Sequence, residues 1–120
     1  MQDYPAFFRS YPGSVPIFER LLRVIAEMGV AKLRVMKSQI VFSRARDFAW
    51  VWVPAQYLRR PGLAPLVLTL AFQYRHPSSR WKQIVEPRPG RFVHHLELFA
   101  AEDLDEEALG WLREAWDQAI

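Results

Sequence analysis

Cysteine is absent from the 120 residues, which excludes disulfides, thiol nucleophiles and cysteine-bound zinc. Glycine occurs only five times, at scattered positions, so neither type of glycine-rich phosphate-binding loop can form. No apolar run approaches the ~18 residues that span a bilayer, and the stretch MQDYPAFFRSYPG lacks a charged region followed by an apolar core. We therefore expect a cytoplasmic protein that does not enter a membrane.

Hydrophobic residues make up 51% of the chain and aromatic residues 14%, a composition typical of a globular protein. A chain of this length has room for one hydrophobic core. We predict a single domain over residues 14–120. Residues 1–13 are predicted to form an extended arm that carries the aromatic anchors Tyr4, Phe7, Phe8 and Tyr11.

Acidic residues are scarce outside the C-terminal segment. Residues 1–100 carry 15 Lys and Arg against 6 Asp and Glu, whereas residues 101–120 carry one Arg and 7 acids. Between positions 30 and 91 the basic residues are mostly Arg, the side chain best suited to binding phosphate and carboxylate groups and to stacking on aromatic rings. This asymmetry makes nucleic acid or another anionic ligand a candidate partner.

Two segments show the helical period. Residues 14–28 gather apolar side chains on one side of a helical wheel, with Ser14 as the predicted N-cap and Gly29 just past the end. The second predicted helix covers residues 103–120, with Asp103 as N-cap and Glu106 completing a capping box.

Between the helices the period changes to two, and short breaks rich in Pro, Gly and Ser separate six candidate strands. These strands are predicted at residues 31–37, 39–43, 47–54, 65–74, 81–86 and 91–99. Consecutive strands with short connections favour an antiparallel meander of five or six strands. The order helix, sheet, helix predicts an α+β two-layer sandwich with both helices on one face of the sheet.

The strand RDFAWVWVP, residues 46–54, carries apolar side chains on both faces. Alternation places three large aromatic side chains on one face and three smaller side chains on the other: Phe48, Trp50 and Trp52 against Ala49, Val51 and Val53. We expect the smaller set to face the helices, together with the leucines of residues 65–74. The three aromatic side chains then lie on the face of the sheet that no helix covers.

That open face is predicted to be an aromatic patch rimmed by arginines, with Trp50, Trp52, Arg46, Arg80 and Arg91 as ligand-binding residues. We interpret the chain as a non-enzymatic binding domain for an anionic ligand, nucleic acid or a protein, without a cofactor. The alternative is structural: the N-terminal arm or a second copy of the chain covers the rings, since large exposed apolar patches are rare on monomers. In the second case the protein is a homodimer.

The histidines offer one enzymatic alternative. His94 and His95 point to opposite faces of their strand, so they cannot bind one metal ion, and we expect no metal site, even with His76 nearby. His94 is predicted at the margin of the core. His95 and Glu97 share the open face and could form a hydrogen-bonded pair with a raised imidazole pKa, half of a general-base arrangement in a small hydrolase or isomerase. A simple surface pair is the other interpretation.

Several stretches together resemble a bacterial family, the domain of unknown function DUF5655. They are KSQIVF (37–42), RDFAWVWVP (46–54), LVLTLAF (66–72), VHHLEL (93–98) and DLDEEALGWLREAW (103–116). The resemblance covers roughly residues 7–119 and implies a small α+β domain, without implying a catalytic residue or a cofactor. The element order is also similar to that of frataxin-like folds, but such an analogy does not transfer function.

Overall fold

The computed structural model describes residues 4–120, so the first three residues of the predicted arm lie outside it. In chain order the elements are α1 (Tyr4–Phe7), α2 (Val15–Met28), β1 (Lys32–Val35), β2 (Ile40–Ser43), β3 (Asp47–Trp52), β4 (Leu66–Phe72), β5 (Gln83–Arg88), β6 (Arg91–Leu98) and α3 (Glu106–Gln118). Three short 3-10 turns occur at Pro12–Ser14, Pro54–Gln56 and Ala101–Asp103. The predicted α+β class is confirmed.

The six strands form one antiparallel sheet in the order β1-β2-β3-β4-β6-β5. The chain follows a simple meander through β4, but the β5–β6 hairpin then places β6, not β5, beside β4. The difference follows from burial, because β6 brings the fully buried His94, Leu96 and Leu98 next to the central strand. Most residues of β5 are exposed, which suits an edge strand.

Both long helices pack on the same face of the sheet, which we call the helix face. The buried side of α2 includes Phe18 and Leu21, and that of α3 includes Trp111 and Leu112. These side chains share one core with the inward residues of the central strands, including Ile40, Phe42, Ala49, Val51, Leu66, Leu68, Leu70, Leu96 and Leu98. Within residues 4–120, no helix has the length and apolar character needed to cross a membrane.

Residues 4–13 of the predicted arm are not extended, and this part of the prediction is wrong. Tyr4–Phe7 form a helical turn, and Phe8 is almost fully buried. The rings of Tyr4 and Phe8 lie 5.0 and 4.9 Å from the ring of Phe18 on α2. The arm therefore completes the core on the helix face, because its aromatic side chains gain more burial there than they would on a sheet surface. Residues 4–13 therefore do not cover Trp50 and Trp52.

Of the two predicted helix caps, Ser14 occupies the N-cap position of α2 without a capping bond, and Asp103 is not the cap of α3. Ser14 makes no capping bond, because its hydroxyl donates to the carbonyl of Pro65 at 2.6 Å and anchors α2 to the start of β4. Asp103 lies in a 3-10 turn, where its carboxylate accepts the backbone N–H of Phe99 at 2.8 Å. Asp105 is the N-cap of α3 and accepts the backbone N–H of Ala108 at 3.0 Å.

Phe48 corrects the predicted alternation of β3. Ser43 pairs with Asp47 while Phe42 pairs with Ala49, so Phe48 is the extra residue of a β-bulge. The bulge turns its side chain to the helix face, where it is 2% exposed and packs edge-on against Trp116 at 5.4 Å between ring centroids. Phe48 therefore belongs to the core and not to the open face.

Candidate functional site

Trp50 and Trp52 lie on the face of the sheet opposite the helices, which we call the open face. Trp50 pairs with Thr69 on β4 and Trp52 pairs with Val67, and partners directly opposite each other point to the same side. Ala49 and Val51 pair with leucines of β4 and are fully buried on the helix face. Both indoles are half-buried, so part of each ring is accessible to solvent.

A pocket of about 220 Å³ opens between the two indoles, and we call it the aromatic pocket. It is lined by Gln39, Trp50, Trp52, Thr69, Arg91, Val93 and His95. The exposed ring of Tyr57 lies edge-on to Trp52, with 6.1 Å between the ring centroids. The pocket thus combines flat apolar walls with a few polar side chains, the usual composition of a small-molecule subsite.

A hydrogen-bond chain forms the floor of the aromatic pocket. The indole Nε1–H of Trp52 donates to Thr69 Oγ1 at 3.1 Å, and Thr69 Oγ1 lies 2.7 Å from His95 Nδ1. Burial lowers the pKa of His95 below its usual value. The predicted raised imidazole pKa is therefore wrong.

The proposed pairing of His95 with Glu97 is also wrong, because the imidazole of His95 contacts Thr69 instead. The two residues do share the open face, since they pair with Thr69 and Val67 on β4. The nearest polar atom to the imidazole belongs to the cross-strand neighbour Thr69. Within residues 4–120, the imidazole of His95 forms no ion pair or side-chain hydrogen bond with Glu97. A directly opposite residue is closer than one two positions along the same strand.

A second, wider depression of about 480 Å³ adjoins the aromatic pocket, and we call it the arginine groove. It is lined by Arg46, Asp47, Trp50, Pro87, Arg88 and Arg91. Trp50 and Arg91 line both depressions, and the guanidinium carbon of Arg91 lies 5.8 Å from the centroid of the Trp50 ring. This distance is within the range of a cation–π contact.

Asp47 is the carboxylate of the arginine groove, and Arg34 already neutralises it. Two hydrogen bonds of 3.0 and 3.1 Å join the guanidinium of Arg34 to the carboxylate, and Ser43 Oγ donates to it at 2.6 Å. These bonds, first the one from Arg34, lower the pKa of Asp47. No ion pair to the three groove arginines exists in the part of the chain that the structure describes, although the charge of Arg91 also lowers the pKa of Asp47.

The structure does not bring Arg80 to this site. Its guanidinium forms ion pairs with Asp105 at 3.0 Å and Glu107 at 2.8 Å at the start of α3, and it lies 5.3 Å from the ring of Trp111. Arg80 is therefore occupied in holding the N-terminus of α3. Of the predicted ligand-binding residues, the structure places Trp50, Trp52, Arg46 and Arg91 together.

His94 and His76 belong to the helix face. His94 is fully buried rather than marginal, and its Nε2 accepts the backbone N–H of His76 at 3.0 Å. Its Nδ1 lies 3.1 Å from the carbonyl of Phe92, so the neutral ring donates from Nδ1. No cluster of three or more potential metal ligands occurs among residues 4–120.

Sequence reasoning missed six lining residues of the site, namely Gln39, Asp47, Thr69, Pro87, Arg88 and Val93. A signal for Arg88 was present, because a Pro–Gly pair such as Pro89–Gly90 is typical of a type II turn, and Gly90 has the positive φ of 81° that such a turn needs. This turn places Arg88 directly opposite Arg91. The position of Gln39 at the entry to β2 had no comparable signal.

The comparisons with known proteins give a family and no activity. The model of the domain of unknown function DUF5655 matches residues 6–119. No curated protein and no solved structure matches the chain significantly. Because the match covers nearly the whole sequence, the chain belongs to the DUF5655 family of domains of unknown function.

Proposed function

We propose that this domain binds single-stranded nucleic acid on its open face, with bases at the aromatic pocket and phosphates in the arginine groove. The observation that supports it most is the position of Arg91 beside the Trp50 ring, where the two depressions meet. A nucleotide has the same two parts, a flat ring and an anionic phosphate, at adjacent positions. We also expect the protein to be bacterial and cytoplasmic.

The physical basis is stacking combined with charge. Stacking of a base on an aromatic side chain contributes ~1–3 kcal/mol and does not depend strongly on which base is present. Arg46, Arg88 and Arg91 form no ion pair in residues 4–120, so binding phosphates there breaks none. Charge complementarity therefore favours an anionic strand over a neutral ligand.

The sizes of the two depressions fit this division. The aromatic pocket, at about 220 Å³, is below the ~300 Å³ at which pockets for whole drug-sized ligands begin. It suits a single ring system. The arginine groove, at about 480 Å³, is wider and shallower, as a backbone running along the surface requires.

The test is the salt dependence of binding to a fluorescently labelled oligothymidylate. Three phosphate contacts predict a slope of about −2 in log K against log salt, a loss of roughly 20-fold between about 50 and 200 mM. Arg88→Gln should reduce the slope by about 0.7. Arg59→Gln is the matched control, because Arg59 is exposed and donates to the carbonyl of Ala55, outside both depressions, so the slope should not change.

Two results would refute the proposal. The first is no measurable binding of the strand by the wild-type protein. The second is a binding constant that does not respond to salt.

A homodimer that buries Trp50 and Trp52 is the structural alternative, and sedimentation at dilute and concentrated protein distinguishes it. The enzymatic alternative relied on a His95–Glu97 pair, whereas the side-chain hydrogen-bond partner of His95 in residues 4–120 is Thr69.

A further inference from the structure

We infer that His95 presents a fixed N–H donor, at Nε2, to a hydrogen-bond acceptor on the edge of a base held in the aromatic pocket. This inference rests on the proposed function and extends it from strand binding to recognition of the base itself. It assigns the pocket a chemical preference: the ring that enters must carry a carbonyl oxygen or an unprotonated ring nitrogen facing His95.

The argument begins with the single hydroxyl of Thr69. Thr69 is 5% exposed, and its oxygen already accepts the indole N–H of Trp52 at 3.1 Å. Its own hydrogen must then go to an acceptor, since an unsatisfied buried donor costs ~1–3 kcal/mol. His95 Nδ1, at 2.7 Å, is the side-chain acceptor in reach.

The tautomer of His95 follows from this direction. If Thr69 donates to Nδ1, then Nδ1 carries no hydrogen, and the proton of the neutral ring must be on Nε2. In the opposite arrangement Thr69 would accept from both Trp52 and His95, and its own hydrogen would remain without a partner. The indole of Trp52 thereby decides, through Thr69, which nitrogen of His95 is the donor.

The second nitrogen of His95 is free to meet a ligand. Nε2 has no hydrogen-bond partner in residues 4–120. It is not sealed from solvent either, because the only buried side-chain nitrogen or oxygen without a partner in that range is Trp81 Nε1. His95 lines the aromatic pocket, and on this inference its accessible Nε2–H is part of the pocket surface.

A donor fixed in this way selects against ligands that offer no acceptor. Base edges differ in their donors and acceptors: the thymine edge presents carbonyl oxygens, and the guanine edge presents a carbonyl oxygen and a ring nitrogen. An abasic sugar leaves the donor facing nothing but water. We expect the pocket to distinguish a thymidine strand from an abasic strand of equal length and charge.

The first experiment needs no ligand. Long-range nitrogen–proton NMR spectra of the histidine side chains report which ring nitrogen carries the proton, and His95→Gln assigns the His95 signals by their loss. The expected result is the Nε2–H tautomer at neutral pH. In Thr69→Val the preference should weaken, whereas Thr69→Ser, which keeps the hydroxyl, should preserve it. An Nδ1–H tautomer in the wild-type protein overturns the inference.

The second experiment measures the affinity of labelled oligothymidylate and of an abasic strand of the same length. His95→Phe keeps a flat ring but removes the donor, and it should reduce the preference for the thymidine strand by about twofold to tenfold. His95→Gln, whose amide nitrogen lies near the position of Nε2, should retain most of that preference. The salt slope should be unchanged in both variants, because the arginine groove is intact.

The outcomes separate the two proposals. If His95→Phe keeps the full wild-type preference for the thymidine strand, the inference fails, and the proposed function survives provided that the salt slope still responds to Arg88→Gln. If the wild-type protein does not distinguish the two strands, the inference fails and base stacking in the aromatic pocket is refuted with it. If the wild-type protein binds neither strand, both proposals are refuted.

Discussion

The substitution Gly29→Ala should destabilise the domain strongly, because Gly29 is the point where the end of α2 passes over α3. Gly29 has φ 153° and ψ −162°, a conformation that side-chain-bearing residues rarely adopt. An added Cβ would lie 2.8 Å from Cζ2 and 3.2 Å from Cη2 of Trp116. Real Cβ atoms do not approach a neighbour that closely, so the ring or the backbone must move.

Trp116 has little freedom to move away. It is 5% exposed, its ring packs edge-on against Phe48 at 5.4 Å, and the guanidinium carbon of Arg44 lies 4.4 Å from its centroid. The backbone strain costs ~1–3 kcal/mol. Overpacking the core costs ~1–3 kcal/mol more. Together these contributions predict a loss of about 2–6 kcal/mol in the free energy of unfolding.

The control is the same chemical change at another glycine. Gly110 lies on the exposed side of α3, and an added Cβ there meets nothing within 4 Å. Gly110→Ala should stabilise the domain by ~0.5–1 kcal/mol, since alanine is the better helix former. Urea titrations followed by circular dichroism measure both free energies. Equal effects of the two substitutions, or a neutral Gly29→Ala, would refute the packing described here.

Two further predictions concern the core and the buried histidine. Phe48→Ala should cost ~3–5 kcal/mol because the bulge places this ring in the core, whereas Trp50→Ala on the open face should cost clearly less; equal costs in urea titrations would count against the bulge. Burial lowers the pKa of His94 in the folded state. Just below the ordinary histidine pKa of ~6.5, the unfolded chain therefore binds more protons than the folded protein, and the free energy of unfolding should fall as the pH decreases through that value. His94→Leu should flatten this part of the stability profile in circular dichroism, and an unchanged slope would contradict the assignment.

Much of the fold could be predicted because the period of the apolar residues changes clearly along the chain. The apolar stripe of residues 14–28 and the alternation of residues 65–74 both correspond to elements of the structure, α2 and β4. In the structure Ala49 and Val51 pair with leucines of β4, so Trp50 and Trp52 lie on the open face. The sequence pattern favoured this placement but could not decide it, because alternation does not reveal the pairing register.

The errors arose where a local sequence rule, such as the N-cap preference or strand alternation, allows two placements of a residue. Asp103 and Asp105 are both good N-caps two residues apart, and only the docking of the buried Leu104 selects Asp105. Alternation cannot anticipate a bulge, so one extra residue moved Phe48 to the opposite face. In both cases tertiary packing, which the sequence pattern does not display, decided the outcome.

The site itself was predicted less completely, because it depends on which strands are neighbours. Thr69 and His95 are 26 positions apart in the chain, and they meet only because β6 pairs with β4 rather than following β5 to the edge. Arg80 was grouped with the site on composition alone. In the structure Arg80 lies at the start of α3, where it forms ion pairs with Asp105 and Glu107.

The most direct test of the central claim uses the five tryptophans as reporters of where a strand binds. Their indole N–H signals can be followed by NMR while oligothymidylate is added to the nitrogen-labelled protein. Two indoles lie on the open face and three on the helix face, namely Trp50 and Trp52 against Trp81, Trp111 and Trp116. We predict that the first two signals shift together and saturate. Shifts confined to the helix-face indoles would contradict the account.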